Sequence, residues 1–150
     1  MSVSAEPYRD CLFSLLAFCK KFAEDNPSYD FVIEDFDGHA DINEFEDSNY
    51  IGIMEYEFED DEGPIEVTCA LGIMMFQDTK IQSLRALMSQ LMMRLRPGTK
   101  IPLVVSDTGA RIGTLTVARP TRALPISREA KNRPVQFIGV RFLTDLATVL

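Results

Sequence analysis

Tryptophan is absent from this chain, histidine occurs once, and cysteine only three times. No GxGxxG, P-loop, CxxC, HExxH or GxSxG pattern occurs. The usual signatures of dinucleotide binding, phosphate cradling, zinc ligation and nucleophile-elbow catalysis are therefore missing. The apolar run 11–19 is far shorter than the ~20 residues a membrane span needs, and Lys20-Lys21 follows it directly. Glu6 and Asp10 stand where a secretory signal would be basic. Cys11 and Cys19 fall on one predicted helix, about 12 Å apart at ~1.5 Å rise per residue, and so cannot bond to each other. With Cys69 they are expected to be three reduced thiols in a protein made in the cytosol.

Positive charge is scarce in the first half. No Lys or Arg lies between Lys21 and Lys80. Residues 1–79 hold three basic and twenty acidic residues, whereas residues 80–150 hold twelve basic and three acidic, so the net −8 conceals a strong polarity. Like charges concentrated in this way repel unless the two halves lie side by side, or unless the acidic face of one copy meets the basic face of another. A head-to-tail contact of that kind is heterologous, the type that builds rings.

At 150 residues the chain suits a single domain, 1–150, with enough length to bury a substantial core. The stretch 78–98, DTKIQSLRALMSQLMMRLRPG, organises it. Ile81, Leu84, Leu87, Met88, Leu91, Met92 and Leu95 recur at helical spacing on one broad face. Asp78 suits the N-cap, and Pro97-Gly98 the stop. Ser4 to Glu24 predicts an earlier helix, with Tyr8, Leu12, Leu15, Leu16, Cys19 and Phe22 as its buried stripe, ended by Asn26-Pro27. Strands are expected at 29–34, 50–59, 65–76, 101–106, 111–117 and 135–143. The last, VQFIGVRFL, is apolar on both faces and is expected to be central or covered. The residues after Asp145 form a short apolar tail that suits packing against the body or a neighbour.

The loop 35–46, DFDGHADINEFE, bears comparison with a calcium-binding EF-hand. Asp35, Asp37, Asp41, Ile42 and Glu46 fall at the matching positions. His39 replaces an oxygen ligand, Ala40 replaces the turn glycine, and the flanks are strand-like where helices are required. The expectation is an acidic surface loop without a metal.

Two hairpins follow from the pattern, 50–76 and 99–117. In the first, Tyr56 and Phe58 alternate inward while Glu55, Glu57 and Glu59 point out, and Asp60, Asp61 and Glu62 charge the tip. Three glutamates without a His or Arg partner are a solvated face rather than a catalytic pair, so no catalytic residue and no cofactor is expected. The segment 118–134 fits neither a helical nor a strand period. Its three prolines and Arg119, Arg122, Arg128, Lys131 and Arg133 suggest a long basic arm that is mobile in an isolated subunit and ordered against a partner. The arm has no aromatic residue on which bases could stack, so sequence-specific nucleic-acid binding is not expected. The expected subunit or partner interface is the acidic set 55, 57 and 59–62 together with these five basic residues.

The fold expected is α+β: an antiparallel sheet with hairpins, flanked by two helices, with the basic arm before the last strand. That element order, the acidic hairpin after the first helix, and above all the closing RPVQFIGVRFLTDL, residues 133–146, resemble the tail terminator proteins of long-tailed bacteriophages, also called tail completion or neck gateway proteins. The resemblance implies a non-enzymatic virion protein, assembled in the host cytoplasm into a hexameric ring that ends the tail tube. It implies as partners further copies of itself, the tail tube protein and a head–tail connector or collar protein, with a tail sheath protein as a further candidate. The competing expectation is an acidic adaptor or inhibitor domain that binds a basic protein partner.

Overall fold

A computed structural model of the chain describes residues 6–38, 45–60, 65–119, 122–129 and 133–146, with only the backbone described for Arg128, Glu129 and Leu146. The expected start of the first helix at Ser4, loop residues His39 to Ile42, tip residues Asp61 and Glu62, Lys131 and the tail beyond Leu146 lie outside the described residues. The fold is α+β, as expected.

Helix α1 runs Pro7–Asp25 and α2 runs Ile81–Met93. The main strands are β1 (Val32–Asp35), β2 (Tyr50–Glu59), β3 (Glu66–Met74), β4 (Lys100–Val104), β5 (Arg111–Val117) and β8 (Arg133–Leu146), ordered β1-β2-β3-β8-β5-β4 across one sheet. Short β6 (Arg122–Ala123) and β7 (Ser127–Glu129) also pair with β8. All pairings are antiparallel except β1 with β2. The strand expected to be central or covered is central: β8 lies between β3 and β5.

Both helices cover the same face of the sheet. Cys11, Leu15, Cys19 and Phe22 of α1, with Leu84, Leu87, Met88 and Leu91 of α2, form one cluster with Ile51, Ile53, Val67, Cys69, Leu71, Ile73, Ile138, Val140 and Phe142. The expected face of α2 reaches this core. On α1 Leu15, Cys19 and Phe22 do, but the expected Tyr8 is 54% exposed, Leu12 and Leu16 are only partly buried, and Cys11 is buried instead, a correction. Asp78 is not the cap of α2, a correction: the N-cap is Lys80, and no side chain bonds the free amides there. At the other end Arg94 reaches Asp25 at 2.8 Å and lies 5.0 Å from the Phe22 ring centre, tying the two helices together. The hydrogen bond from Arg94 holds the Asp25 carboxyl below its ordinary range. Helix α1 also finishes the edge of the sheet. The Val104 amide donates to Ser14 Oγ at 2.9 Å, and the Ser106 amide to the buried Asp10 carboxylate at 3.0 Å.

The segment expected to be an arm needs correction too. After Val117 pairs with Phe142, Arg122 and Ala123 pair with Gly139 and Ile138, and Ser127–Glu129 pair with Val135–Arg133. The segment is therefore the interrupted continuation of β5 along one edge of β8. Between the first two pairings it advances five residues while β8 spans three, and between the next two it advances four against three. These breaks in register hide the two-residue period that would have announced a strand. Pro125 falls in the second interruption, where a residue without an N–H is tolerated.

Candidate interaction surface

The sheet's second face carries no helix. At one end a small cluster of Phe36, Phe45, Tyr50, Met74 and Val135 covers it. Gly72 lets the Phe137 ring lie flat there, since a β-carbon would stand 2.1 Å from that ring. Elsewhere the face mixes small and polar residues such as Thr68, Gly139, Thr114 and Thr116 with two groups of charges.

Its acidic side is set by a bulge in β2. Met54 pairs with Ala70 but Glu57 with Thr68, so one extra residue enters the strand. Glu55 takes φ 55°, a left-handed conformation that a non-glycine residue seldom adopts. The Asp37 carboxylate holds it, accepting from the Glu55 amide at 2.8 Å and the Tyr56 amide at 3.0 Å. A one-residue shift exchanges the faces of everything after it. Tyr56 and Phe58 thereby turn to the helix side, where Tyr56 Oη donates to Tyr8 O at 2.7 Å, and the Tyr8 and Tyr56 rings meet edge-on at 5.1 Å. Glu57 and Glu59 are placed opposite Thr68 and Glu66 on the open face. Glu55, Glu57, Glu59 and Asp60 are all exposed.

The basic side belongs to β8 and the segment beside it. Arg119, Arg122 and Arg141 line a groove of about 540 Å³, together with Glu66, Thr68, Gly139 and Val140. Arg122 sits opposite Gly139, whose lack of a side chain opens the groove floor. Arg141 donates to Glu66 across the sheet. Arg119 and Arg122 are exposed and have no ion pair among the described residues.

The expected interface set therefore divides. Arg119 and Arg122 converge, and the four described acidic residues lie on or just past β2, two strands from β8. Arg128 pairs with Pro134 through its backbone. Arg133 is corrected: it is 2% exposed and cannot reach a neighbour. Its Nε donates to Met75 O at 3.1 Å, its Nη1 to Glu46 O at 2.8 Å and its Nη2 to Ser48 O. The guanidinium lies 5.4 Å from the Tyr50 ring centre, with Asp47 at 3.9 Å. It is an internal clasp that fastens segment 45–49 to the ends of β3 and β8. Burial pushes its pKa down from the ordinary arginine value, opposed by Asp47 and Tyr50.

Comparison with protein-family models and with curated proteins finds no match.

Sequence reasoning missed Arg141. Its signal was present, as the one charge inside the otherwise apolar run VQFIGVRFL. A lone charge in a central strand must face solvent or a partner. Of the residues in the EF-hand-like loop, Asp35 ends β1, and Asp37 spends both carboxylate oxygens on the β2 bulge. Among the described residues no cluster of His, Cys, Asp and Glu could hold a metal ion. Among the described residues no helix is long and apolar enough to cross a membrane. A second groove, of about 530 Å³, lies between α2 and β6, with Met88, Met92 and Met93 on its floor and Arg85 and Arg96 on its walls.

Proposed function

We propose that the protein is a structural subunit that assembles into a closed ring, most simply the hexameric ring of a phage tail terminator. In that role it ends the tail tube and joins it to a head-side connector or collar protein. The observation that carries this reading is the open face of the sheet, acidic along β2 and basic along β8 and its flanking segment. A face with two unlike halves fits a heterologous contact, in which each copy offers one half to each neighbour, and such contacts form rings when the rotation between copies closes. The likeness of residues 133–146 to tail terminators supplies the virion context, with the tail tube protein as the neighbour along the axis. The role is structural rather than catalytic, and its contacts are salt-sensitive, because exposed charges are screened beyond about 8 Å at physiological ionic strength.

Light scattering and negative-stain imaging of the purified protein test this, alone and with a tail tube protein. A ring is expected. A monomer mass under both conditions overturns the reading and favours the acidic adaptor instead.

A further inference from the structure

We infer that the Arg119–Arg122–Arg141 groove is a socket for the β2 strand of a second copy, with Glu57 and Glu59 as the carboxylates it receives. This rests on the self-assembly reading above and names its contact. Three guanidiniums line the groove, and among the described residues Glu66, already hydrogen-bonded to Arg141, is its one carboxylate. The groove is thus left with a surplus of positive charge and unused donors on Arg119 and Arg122.

The spacing fits. Arg122 stands at the level of Gly139 and Arg141 lies two residues farther along β8, a step of roughly 6.5–7 Å on a strand. Glu57 and Glu59 are also two residues apart on one face of β2, so the same step separates them. Both glutamates are exposed and have no ion pair within their own subunit among the described residues. Glu57 faces Thr68, which in turn faces Arg141, so two strand spacings of roughly 4.8 Å separate Glu57 from the socket of its own chain. The outer edge of β2 is also accessible. Strand β1 pairs only with Tyr50–Ile53, leaving the stretch from Glu57 to Glu59 at the sheet edge.

Sedimentation of four proteins across a concentration series tests the socket. The Arg119→Glu/Arg122→Glu variant and the Glu57→Arg/Glu59→Arg variant should each lose assembly, with dissociation constants raised roughly tenfold or more, as charge reversal at complementary faces predicts. Mixed in equal amounts, the two should recover assembly, because the intact strand of one fits the intact socket of the other and the two reversed faces are complementary as well. The fourth protein, Arg85→Glu/Arg96→Glu, carries the same charge change on the α2 groove and should assemble like wild type. Circular dichroism should show all of them folded. If Arg119→Glu/Arg122→Glu assembles normally, the socket is wrong while the ring reading stands. Loss of assembly in the α2 variant as well means that net charge is at work, and also overturns the socket. A wild type that is monomeric at every concentration overturns the ring reading, and the socket with it.

Discussion

On the helix-covered face of β3, Val67, Cys69, Leu71 and Ile73 are all at most 3% exposed. On the other face of the same strand, Thr68 is exposed and Glu66 half-buried. The first set is held by close packing, where each lost methylene is felt. Farther along that face Ala70 and Met74 are buried, Met74 in the small second cluster, and Glu66 bonds Arg141, so only the Thr68 end leaves side chains open. One strand thus serves stability along one whole face and contact at one end of the other. Substitutions on the two faces should separate in their effects.

The largest effect should come from the alkaline side, because it acts on several buried groups at once. Burial pushes the thiols of Cys11 and Cys69 from 9.0 up to about 12, and that of Cys19 higher still. Between the two values the folded chain keeps protons that the unfolded chain has released. Stability is therefore fully present below pH 9 and falls as pH rises through the interval. Urea midpoints measured at pH 8 and pH 10.5 should show a marked decline, and equal midpoints would mean that the thiols are solvated. Next, Leu91→Ala on the covered face should cost about 2–5 kcal/mol by thermal or urea unfolding, since Leu91 is fully buried. An unchanged midpoint would mean that α2 does not pack on the sheet.

Arg133→Met removes the clasp and strands three carbonyls, at roughly 1–3 kcal/mol for each buried group left unsatisfied. Part of this is recovered by water, so about 3 kcal/mol is expected, with faster proteolysis in 36–49. A loss of assembly with unaltered stability would instead place Arg133 at an interface. Smallest, Glu57→Gln and Thr68→Ala on the open face should shift monomer stability by no more than about 0.5 kcal/mol. A loss above 2 kcal/mol for either would remove the distinction between the faces.

Elements with an unbroken period were legible in the sequence. Both helices, both hairpins and the central place of β8 follow from apolar spacing, which tertiary packing here reinforces. The misses share a cause: local interruptions that a period cannot carry. The inward residues of β2 are Ile51 and Ile53, then Tyr56 and Phe58, a change of parity that requires an extra residue between them. The segment after Val117 hid the short strands β6 and β7 behind two breaks in register. Arg133 looked like one more exposed cation, because its carbonyl partners come from residues 46, 48 and 75 and leave no mark in the neighbouring sequence. Half of the socket was legible as basic composition. The convergence of Arg119 and Arg122 on Arg141 depended on the register.

The central place of β8 also bears on how the chain is made. β8 pairs with β3, yet 58 residues, 75–132, separate them along the chain. At ~5–20 residues per second, that interval lasts roughly 3–12 s on a ribosome. Throughout it the β2–β3 hairpin can form, but one edge of β3 has no partner, and its VTCALGIM sequence is the kind that pairs with any strand available. Neighbouring nascent chains present the same edge. Between Lys21 and Lys80 each of them also carries only acidic charge, so they repel one another while the edge is bare. The basic residues that offset this repulsion begin at Lys80, and six of the twelve, from Arg119 to Arg141, are synthesised just before and within β8, as the edge is closed.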